Sequence, residues 1–200
     1  MIWIALALLV LSGCGAVDKT MKRIPTHQAY KDLLRTAKGM PDSEALDSVN
    51  RFFNTRIRYA ADLKSWGKPE YWATPEEVLD RGQGDCEDFA IAKFFTLKWI
   101  GVEEDLLNLV YCRIAPGDRP HVVVGYLADA DSPLILDSGA DEIAPASERS
   151  DLSLILGFNS LGLWVFRDGI RHQVSTNAKR LRPWKELMQR MSADADKETP

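Results

Sequence analysis

The sequence predicts a single domain of the α+β class, with one central helix followed by an antiparallel sheet. The 200 residues suffice for one domain with a hydrophobic core, and 46% of them are hydrophobic, as in soluble globular proteins. A segment that is apolar on most of its surface, typical of a buried helix, begins at Asp85 or Cys86 and ends at Trp99. Strand-like segments follow it at Leu107–Arg113, His121–Tyr126 and Leu134–Asp137. A helix followed by consecutive strands indicates an α+β arrangement.

Two helices are predicted at the start of the domain. The first covers Gln28–Lys38 and ends before Gly39. The second has Asp42 or Ser43 as its N-cap and carries apolar residues at helical spacing. These apolar residues are Leu46, Val49, Phe52 and Phe53. We expect them to form part of the core.

A capping box predicts a short helix directly before the turn that leads to Cys86. In Thr74-Pro75-Glu76-Glu77, threonine and glutamate stand at capping-box spacing and proline occupies the first helical position, so the helix runs to about Asp80. Gly82 and Gly84 end it. A loop with large side chains is expected before this helix, and these side chains are Leu63, Trp66, Tyr71 and Trp72.

The last part of the chain is predicted to form a hairpin, a helix and a disordered tail. Gly162–Phe166 and Ile170–Val174 flank Asp168-Gly169, a dipeptide typical of two-residue hairpin turns. Pro183–Met191 has the pattern of a closing helix. Residues 192–200 are small and charged, and we expect them to be disordered.

The N-terminal residues are not part of the predicted domain, which spans residues 26–191. Met1–Leu11 is almost wholly apolar but too short to cross a bilayer, so residues 1–14 are interpreted as an export signal. The signal ends in Leu-Ser-Gly-Cys, which resembles a bacterial lipobox with Cys14 as the lipidated residue. An ordinary cleaved signal and a retained short anchor are the alternatives. Residues 15–25 are interpreted as a polar tether.

The charge balance argues against a nucleic-acid partner. The formal net charge is −4, and the sequence has no basic stripe interleaved with aromatic residues. An acidic excess specifies no other partner by itself.

The segment Gly84–Asp88 places a thiol among carboxylates at the start of the central helix. A thiolate is the nucleophile of cysteine chemistry, and a helix start favours the thiolate, whereas neighbouring carboxylates oppose it. A bound cation would neutralise the acids and leave the sulfur free. The sequence therefore predicts that Cys86 is a nucleophile beside a metal site.

The carboxylates of Asp85, Glu87 and Asp88 have two interpretations of equal weight. Acidic residues in a first helical turn are favoured by the helix dipole, so Asp85 and Asp88 can act as caps. In the other interpretation the carboxylates bind a metal, and oxygen ligands select a hard cation such as Ca²⁺. Asp129 and Asp131 are then candidates for further oxygen ligands.

A nucleophilic cysteine requires a base, and the chain offers three histidines. His27 lies close to the tether, and His172 lies in the predicted edge hairpin, where a surface role is expected. His121 starts a predicted strand and is the remaining candidate. The alternative is a purely structural strand histidine.

A hairpin centred on Asp129 places His121 directly opposite Asp137. An aspartate in that position orients the imidazole, which completes a set of nucleophile, base and orienting residue. The alternative is that Asp137 only ends a strand before a turn. A slip of one residue in the register would separate the two side chains onto opposite faces.

Cys86 and Cys112 are the cysteines of the predicted domain, and a disulfide between them is an alternative in an oxidising compartment. Cys112 lies in a strand-like segment, where a buried free thiol is an ordinary small hydrophobic residue. We therefore expect both thiols to be free.

One set of segments carries a family resemblance. It consists of Trp66-Gly67, Tyr71–Pro75, Gly82–Lys93, His121–Val123 and Leu134–Asp137. Together these segments resemble the bacterial transglutaminase-like cysteine peptidases of the LapG family. The similarity covers Thr26–Met191, and the Gly-Asp-Cys-Glu-Asp block is its most specific part.

The resemblance implies a papain-like, transglutaminase-like core and a catalytic triad. The triad consists of Cys86, His121 and Asp137, and the implied calcium ligands are Asp85, Glu87 and Asp88. Members of the family are periplasmic endopeptidases that cut a large surface adhesin near its N-terminal retention module, at Ala-Ala-like sites, and so disperse biofilms. An inner-membrane receptor for cyclic di-GMP sequesters them.

Two features depart from the family pattern: the lipobox-like Cys14, and Ser138, which stands where an amide side chain is expected. Two other functions are compatible with the sequence. One is a transglutaminase-like acyltransferase or amidase that uses the same triad. The other is a non-catalytic receptor-binding module that uses Trp66, Tyr71 and Trp72 as a docking surface, which the presence of all three triad residues disfavours.

Overall fold

A computed structural model describes residues 24–129, 132–167 and 170–195. The predicted export signal at residues 1–14, the tether up to residue 23 and the predicted turn at 168–169 lie outside these ranges. The helices are α1 (Thr26–Ala37), α2 (Asp42–Arg56), α3 (Asp62–Ser65), α4 (Pro75–Arg81), α5 (Cys86–Ile100) and α6 (Arg182–Ala195). Among the described residues, none of the helices has the length and hydropathy needed to cross a membrane.

The strands form two sheets. They are β1 (Arg58–Tyr59), β2 (Gln83–Gly84), β3 (Leu107–Ile114), β4 (Arg119–Tyr126), β5 (Leu134–Asp137), β6 (Ala140–Pro145), β7 (Leu152–Asn159), β8 (Gly162–Arg167) and β9 (Ile170–Ser175). The larger sheet has the order β6-β5-β4-β3-β7-β8-β9, and all its strand pairs are antiparallel. The smaller sheet is the parallel pair β1-β2. The predicted α+β class is confirmed.

Helix α5 is the centre of the fold. Its residues 88–97 are all buried, and the helix packs against α2, α4 and β4. Gly101 adopts the left-handed conformation at its C-terminus, with φ of 109°, which favours glycine and ends the helix as predicted. Apolar side chains of β3, β4 and β5 alternate between two clusters, the larger one against α5 and a smaller one on the other face of the sheet. The helix that begins at Cys86 is therefore packed on several sides.

The capping box predicted at the start of α4 is present. The Thr74 side chain accepts a hydrogen bond from the Glu77 N–H, and the Glu77 carboxylate accepts one from the Thr74 N–H. The helix ends at Gly82, which has a φ of 65°. A Cβ atom on Gly84 would lie 2.6 Å from the Asp88 side chain, so only glycine allows β2 to approach the first turn of α5 this closely.

Several features differ from the prediction. Helix α2 has Pro41 as its N-cap, because the Asp42 carboxylate accepts a hydrogen bond from the Tyr126 hydroxyl instead of capping the helix. Strands β6 and β7 were not predicted, since β6 includes acidic residues and a proline. Helix α6 continues to Ala195, beyond the expected end at Met191 and into the segment expected to be disordered. Residues 196–200 lie outside the described part.

Candidate active site

Cys86 is the first residue of α5, as the sequence predicts. Its thiol is buried and donates a hydrogen bond to Glu87 Oε2 at 3.1 Å. Burial, followed by the negative charge of Glu87, raises the pKa of the Cys86 thiol, although a backbone hydrogen bond from Val122 opposes the shift. Cys86 and Cys112 are both free, so the disulfide alternative is wrong. In this structure the thiol is hydrogen-bonded to the Glu87 carboxylate, and none of the described hydrogen bonds joins it to His121.

His121 and Asp137 lie together, but the predicted register is wrong by two residues. Observed ladder pairs between β4 and β5 include Val124 with Leu136 and Tyr126 with Leu134, which centres the hairpin on residue 130 instead of 129. A shift of two preserves the face on which a side chain lies, so the side chains still meet. His121 Nε2 is 2.8 Å from Asp137 Oδ1, and both side chains are buried.

A cleft of about 500 Å³ opens beside this pair. Its lining includes Tyr59, Arg119 and Ser138, together with His121 and Asp137. Cys86 is not among the lining residues, but Val122, whose backbone is hydrogen-bonded to the Cys86 thiol, directly follows the lining residue His121. The two other histidines are elsewhere, which agrees with the sequence-based choice of base. His27 lies beside Glu76 and Asp80 of α4, and His172 is exposed on the edge strand β9.

Asp137 has a second partner that the sequence did not predict. Arg149 Nη2 donates a hydrogen bond of 2.9 Å to Asp137 Oδ2, and the Gly139 N–H donates one of 2.9 Å to Oδ1. Burial acts to raise the pKa of Asp137, but the hydrogen bonds from His121, Gly139 and Arg149 outweigh it and hold that pKa below its usual range. Arg149 lies in the irregular connection after β6, where no sequence pattern marks it.

The main chain of Asp137 is held by a buried lysine. Lys93 Nζ donates hydrogen bonds to Asn50 Oδ1 (2.7 Å), Asn54 Oδ1 (2.8 Å) and the Asp137 carbonyl (3.0 Å). The Asn54 amide also donates to the Asp137 carbonyl. Lys93 is fully buried, and burial lowers its pKa to about 7. A lysine within the apolar α5 is the sequence signal that would have identified this network.

The carboxylates near Cys86 form a larger group than predicted. Oxygen atoms of Asp62, Asp85 and Asp88 lie within 4.8 Å of one another, and Asp85 also lies within this distance of Glu87 and Cys86. Asp62, at the start of α3, was missed because the β1-β2 pairing brings it to this place from a distant part of the chain. Glu87 and Asp88 belong to different groups, and Asp85 is common to both.

The geometry of this acidic cluster (Asp62, Asp85, Glu87 and Asp88) gives no support to the capping interpretation. Asp85 is the N-cap residue of α5, but its side chain makes no capping hydrogen bond. Asp88 accepts hydrogen bonds from the Ala73 N–H (2.8 Å) and Trp66 Nε1 (3.1 Å). Asp88 is therefore held by donors outside its own helix, and Asp85 is the member of the predicted capping pair whose side chain makes no N-cap hydrogen bond.

The acidic cluster has the properties of a site for a hard cation. Asp62 Oδ1 and Asp85 Oδ1 are buried and have no hydrogen-bond partner. Burial, with the neighbouring carboxylates, raises the pKa of Asp62 to about 6 and the pKa values of Asp85 and Asp88 to about 7. Orphaned carboxylate oxygens and an oxygen-only donor set fit Ca²⁺. Asp129 is outside this group, and Asp131 lies outside the described residues.

The side chains suggested as a docking surface have structural partners. Trp66 binds Asp88, the Tyr71 hydroxyl donates to Glu77 Oε1 at 2.6 Å, and Trp72 stacks on Phe158 with ring centroids 5.7 Å apart. All three aromatic side chains are partly buried. These contacts explain the aromatic residues through packing around the acidic cluster.

The comparisons with known proteins agree with this geometry. The family model described as bacterial transglutaminase-like cysteine proteinase matches residues 24–152. Structures of LapG from Legionella pneumophila match with a TM-score of 0.74 for the EGTA-treated form and 0.72 for the calcium-bound form, at 36% and 35% identity. The matches cover 84% of this chain and 91% or 92% of LapG. A search of curated proteins returns no match.

Proposed function

The chain belongs to the bacterial transglutaminase-like cysteine proteinases, and we propose that it is a calcium-dependent endopeptidase that cleaves a large surface adhesin and so controls biofilm attachment. The observation that supports this proposal is the site itself. Cys86 stands at a helix start, and its thiol is hydrogen-bonded to the backbone of Val122. The residue before Val122 is His121, which is paired with Asp137 in the wall of an open cleft. This arrangement supplies nucleophile, base and orienting carboxylate for acyl chemistry.

The hydrogen bond to Asp137 defines the role of each imidazole nitrogen. Nε2 donates its proton to Asp137 Oδ1, so Nδ1 is the nitrogen that accepts a proton from the thiol. The Cys86 thiolate then forms a bond to the peptide carbonyl carbon, the C–N bond breaks, and the imidazolium gives its proton to the departing amine. Water next attacks the thioester, with His121 as base, and releases a carboxylic acid and the free thiol.

The helix start assists this chemistry. The Cys86 N–H at the first turn of α5 is a donor for the oxyanion of the tetrahedral intermediate. A second oxyanion donor is not supplied by the side chain of Trp66 or Gln83. Trp66 Nε1 already binds Asp88, and Gln83 Nε2 donates to Ser65 Oγ, so both groups have other roles.

The acidic cluster supports the calcium part of the proposal. Asp62, Asp85 and Asp88 would hold the ion, with Glu87 close to it beside Cys86. The ion would supply positive charge near Cys86 and partners for the orphaned carboxylate oxygens. One of the similar LapG structures is calcium-bound. Without this charge, burial and then the Glu87 carboxylate raise the pKa of the thiol, which opposes formation of the thiolate.

The substrate, partners and location follow from the family resemblance. We propose a periplasmic protein, anchored through a lipid on Cys14, that cuts an adhesin at an Ala-Ala-like site and is sequestered by an inner-membrane receptor for cyclic di-GMP. Residues 1–23 lie outside the described structure.

The test uses the purified protein and an adhesin fragment that contains an Ala-Ala site. Wild-type protein with calcium is expected to yield two fragments by mass spectrometry, and Cys86→Ala and chelator-treated protein are expected to yield none. A labelled amine in the same reaction distinguishes hydrolysis from acyl transfer, because only a transferase attaches the label. Cleavage by Cys86→Ala would overturn the proposed function.

A further inference from the structure

Arg149 contacts Asp137 of the candidate catalytic pair His121–Asp137. Its Nη2 lies 2.9 Å from Asp137 Oδ2, in the wall of the cleft beside His121. The Arg149 side chain is 15% exposed and Asp137 is 1% exposed, so the ion pair is largely shielded from water. At such a site an ion pair is far stronger than on the surface.

The two oxygens of Asp137 have different partners. Oδ1 accepts hydrogen bonds from His121 Nε2 and the Gly139 N–H, whereas Oδ2 accepts the one from Arg149. A carboxylate held on one oxygen can rotate about its last side-chain bond, but one held on both cannot. Arg149 thus fixes the direction in which Oδ1 meets the imidazole.

Arg149 also supplies a charge that does not titrate. A buried carboxylate requires a positive partner, and if His121 were the only one, Asp137 would favour the imidazolium. An imidazolium cannot accept the proton of a thiol. A guanidinium stays charged at all relevant pH values, so it stabilises ionised Asp137 while leaving the imidazole free to be neutral.

Asp151 holds Arg149 in place. Arg149 Nε lies 2.8 Å from Asp151 Oδ1 and Nη2 lies 2.8 Å from Oδ2, which is the two-point geometry favoured by arginine and carboxylate. The Arg149 hydrogen bond lowers the pKa of Asp151, so this carboxylate is ionised across the physiological range. Asp137, Arg149 and Asp151 form one connected ion-pair chain that ends at His121.

We propose that Arg149, fixed by Asp151, is a positioning residue for the peptidase reaction, which orients Asp137 toward His121 and keeps the imidazole available as a base. This inference rests on the proposed function, because it requires that His121 acts on Cys86. Lysine cannot replace Arg149 fully, since a single ammonium does not present the planar fork that contacts both aspartates.

The experiment measures kcat and KM for a peptide substrate in Arg149→Met, Arg149→Lys and Asp151→Asn. We expect Arg149→Met to lower kcat about 10²-fold with KM within about twofold, and Arg149→Lys and Asp151→Asn to give smaller losses. Arg51→Met is the matched control, because Arg51 forms an exposed pair with Asp47 on α2. It should leave kcat unchanged.

Two further readouts distinguish positioning from structural support. In Arg149→Met the acid limb of the kcat–pH profile is expected to move to higher pH, because ionised Asp137 then has only protonated His121 as its counter-charge. In Arg149→Ala, added methylguanidinium is expected to restore part of kcat. If Arg149→Met does not fold, kcat and melting temperature are compared in Arg149→Lys and Asp151→Asn instead. A positioning role predicts a loss of kcat that exceeds what the change in melting temperature explains.

Cys86→Ala in the same assay distinguishes a failure of the proposed function from a failure of the positioning role of Arg149. Hydrolysis that survives Cys86→Ala would overturn the proposed function and this inference with it. Hydrolysis that is lost in Cys86→Ala but keeps its wild-type kcat and pH profile in Arg149→Met, with only the melting temperature lowered, would overturn the positioning role alone.

Discussion

Asp137 and the acidic cluster both belong to the candidate active site, but they differ in the donors that surround them. Asp137 is surrounded by donors, with His121, Gly139 and Arg149 on its side chain and Lys93 on its carbonyl. The acidic cluster has buried oxygen atoms without a partner. Accordingly the pKa of Asp137 lies below its usual range, whereas the pKa of Asp85 is raised to about 7.

The difference shows which charge is permanent and which is exchangeable. Asp137 has a built-in cation in Arg149, whose charge does not titrate, so its ionised form is part of the fold under physiological conditions. The acidic cluster lacks a side-chain cation among the contacts described, so an ion from solution is the natural source of its positive charge. In the proposed site, the charge of Asp137 is therefore set by the fold, whereas the charge balance of the acidic cluster would depend on a bound cation.

The largest expected effect comes from neutralising Asp137. Asp137→Asn should lower kcat about 10⁴-fold, because an amide favours the wrong imidazole tautomer, as it does in serine proteases. Calcium binding, measured by isothermal titration calorimetry, should be unchanged. The matched variant Asp62→Asn should show the reverse, with weakened calcium binding. Equal effects of both variants on calcium affinity would show that Asp137 and the acidic cluster are not independent.

Calcium removal tests the proposed cation site in the acidic cluster. Calcium at about 100 times its dissociation constant should stabilise the fold by about 2.7 kcal/mol, which corresponds to a rise of roughly 5–11 °C in melting temperature. Activity should depend on calcium in parallel. Magnesium is the control ion, because it requires a tighter octahedral arrangement of ligands. Chelator-treated protein with unchanged melting temperature and activity would contradict the calcium assignment.

A smaller effect is expected from the buried lysine below Asp137. Lys93→Met leaves the buried side-chain oxygens of Asn50 and Asn54 without their donor and should lower the free energy of unfolding by about 2–4 kcal/mol. Lys98→Met on the same helix is the control. Lys98 pairs with Glu104 and is partly exposed, so its loss should cost less than about 1 kcal/mol. Urea unfolding measures both, and equal losses would argue against the Lys93 network.

The smallest expected effect is the pH dependence of stability in calcium-free protein. Asp62, Asp85 and Asp88 have raised pKa values in the fold, so between about pH 4 and about pH 7 the folded state binds more protons than the unfolded state. The free energy of unfolding should therefore fall as pH rises through this range, by a few degrees in melting temperature. Calcium should remove the trend, and Asp62→Asn should weaken it. A melting temperature that rises with pH in calcium-free protein would contradict the raised pKa values.

The candidate catalytic residues were predictable for two reasons. Some sequence signals are local, and others depend only on the face of a strand, which a shift of two residues does not change. A cysteine between acids at a helix start is visible in five residues, and the face shared by His121 and Asp137 survived a two-residue error in the hairpin register. Asp62 and Arg149 were not predictable. Each is an ordinary charged residue in its own segment, and only contacts formed across the fold give it a role.

The sequence by itself determined the helix limits at Thr74, Gly82 and Gly101, the buried character of α5, and the position of Cys86 at its start. These features depend on capping, backbone conformation and periodicity within a few residues. The tertiary structure alone decided which carboxylates come together in the acidic cluster and which one receives an arginine and a lysine as partners. Those choices depend on strand register and on the parallel β1-β2 pair, whose energies arise from residues far apart in the chain.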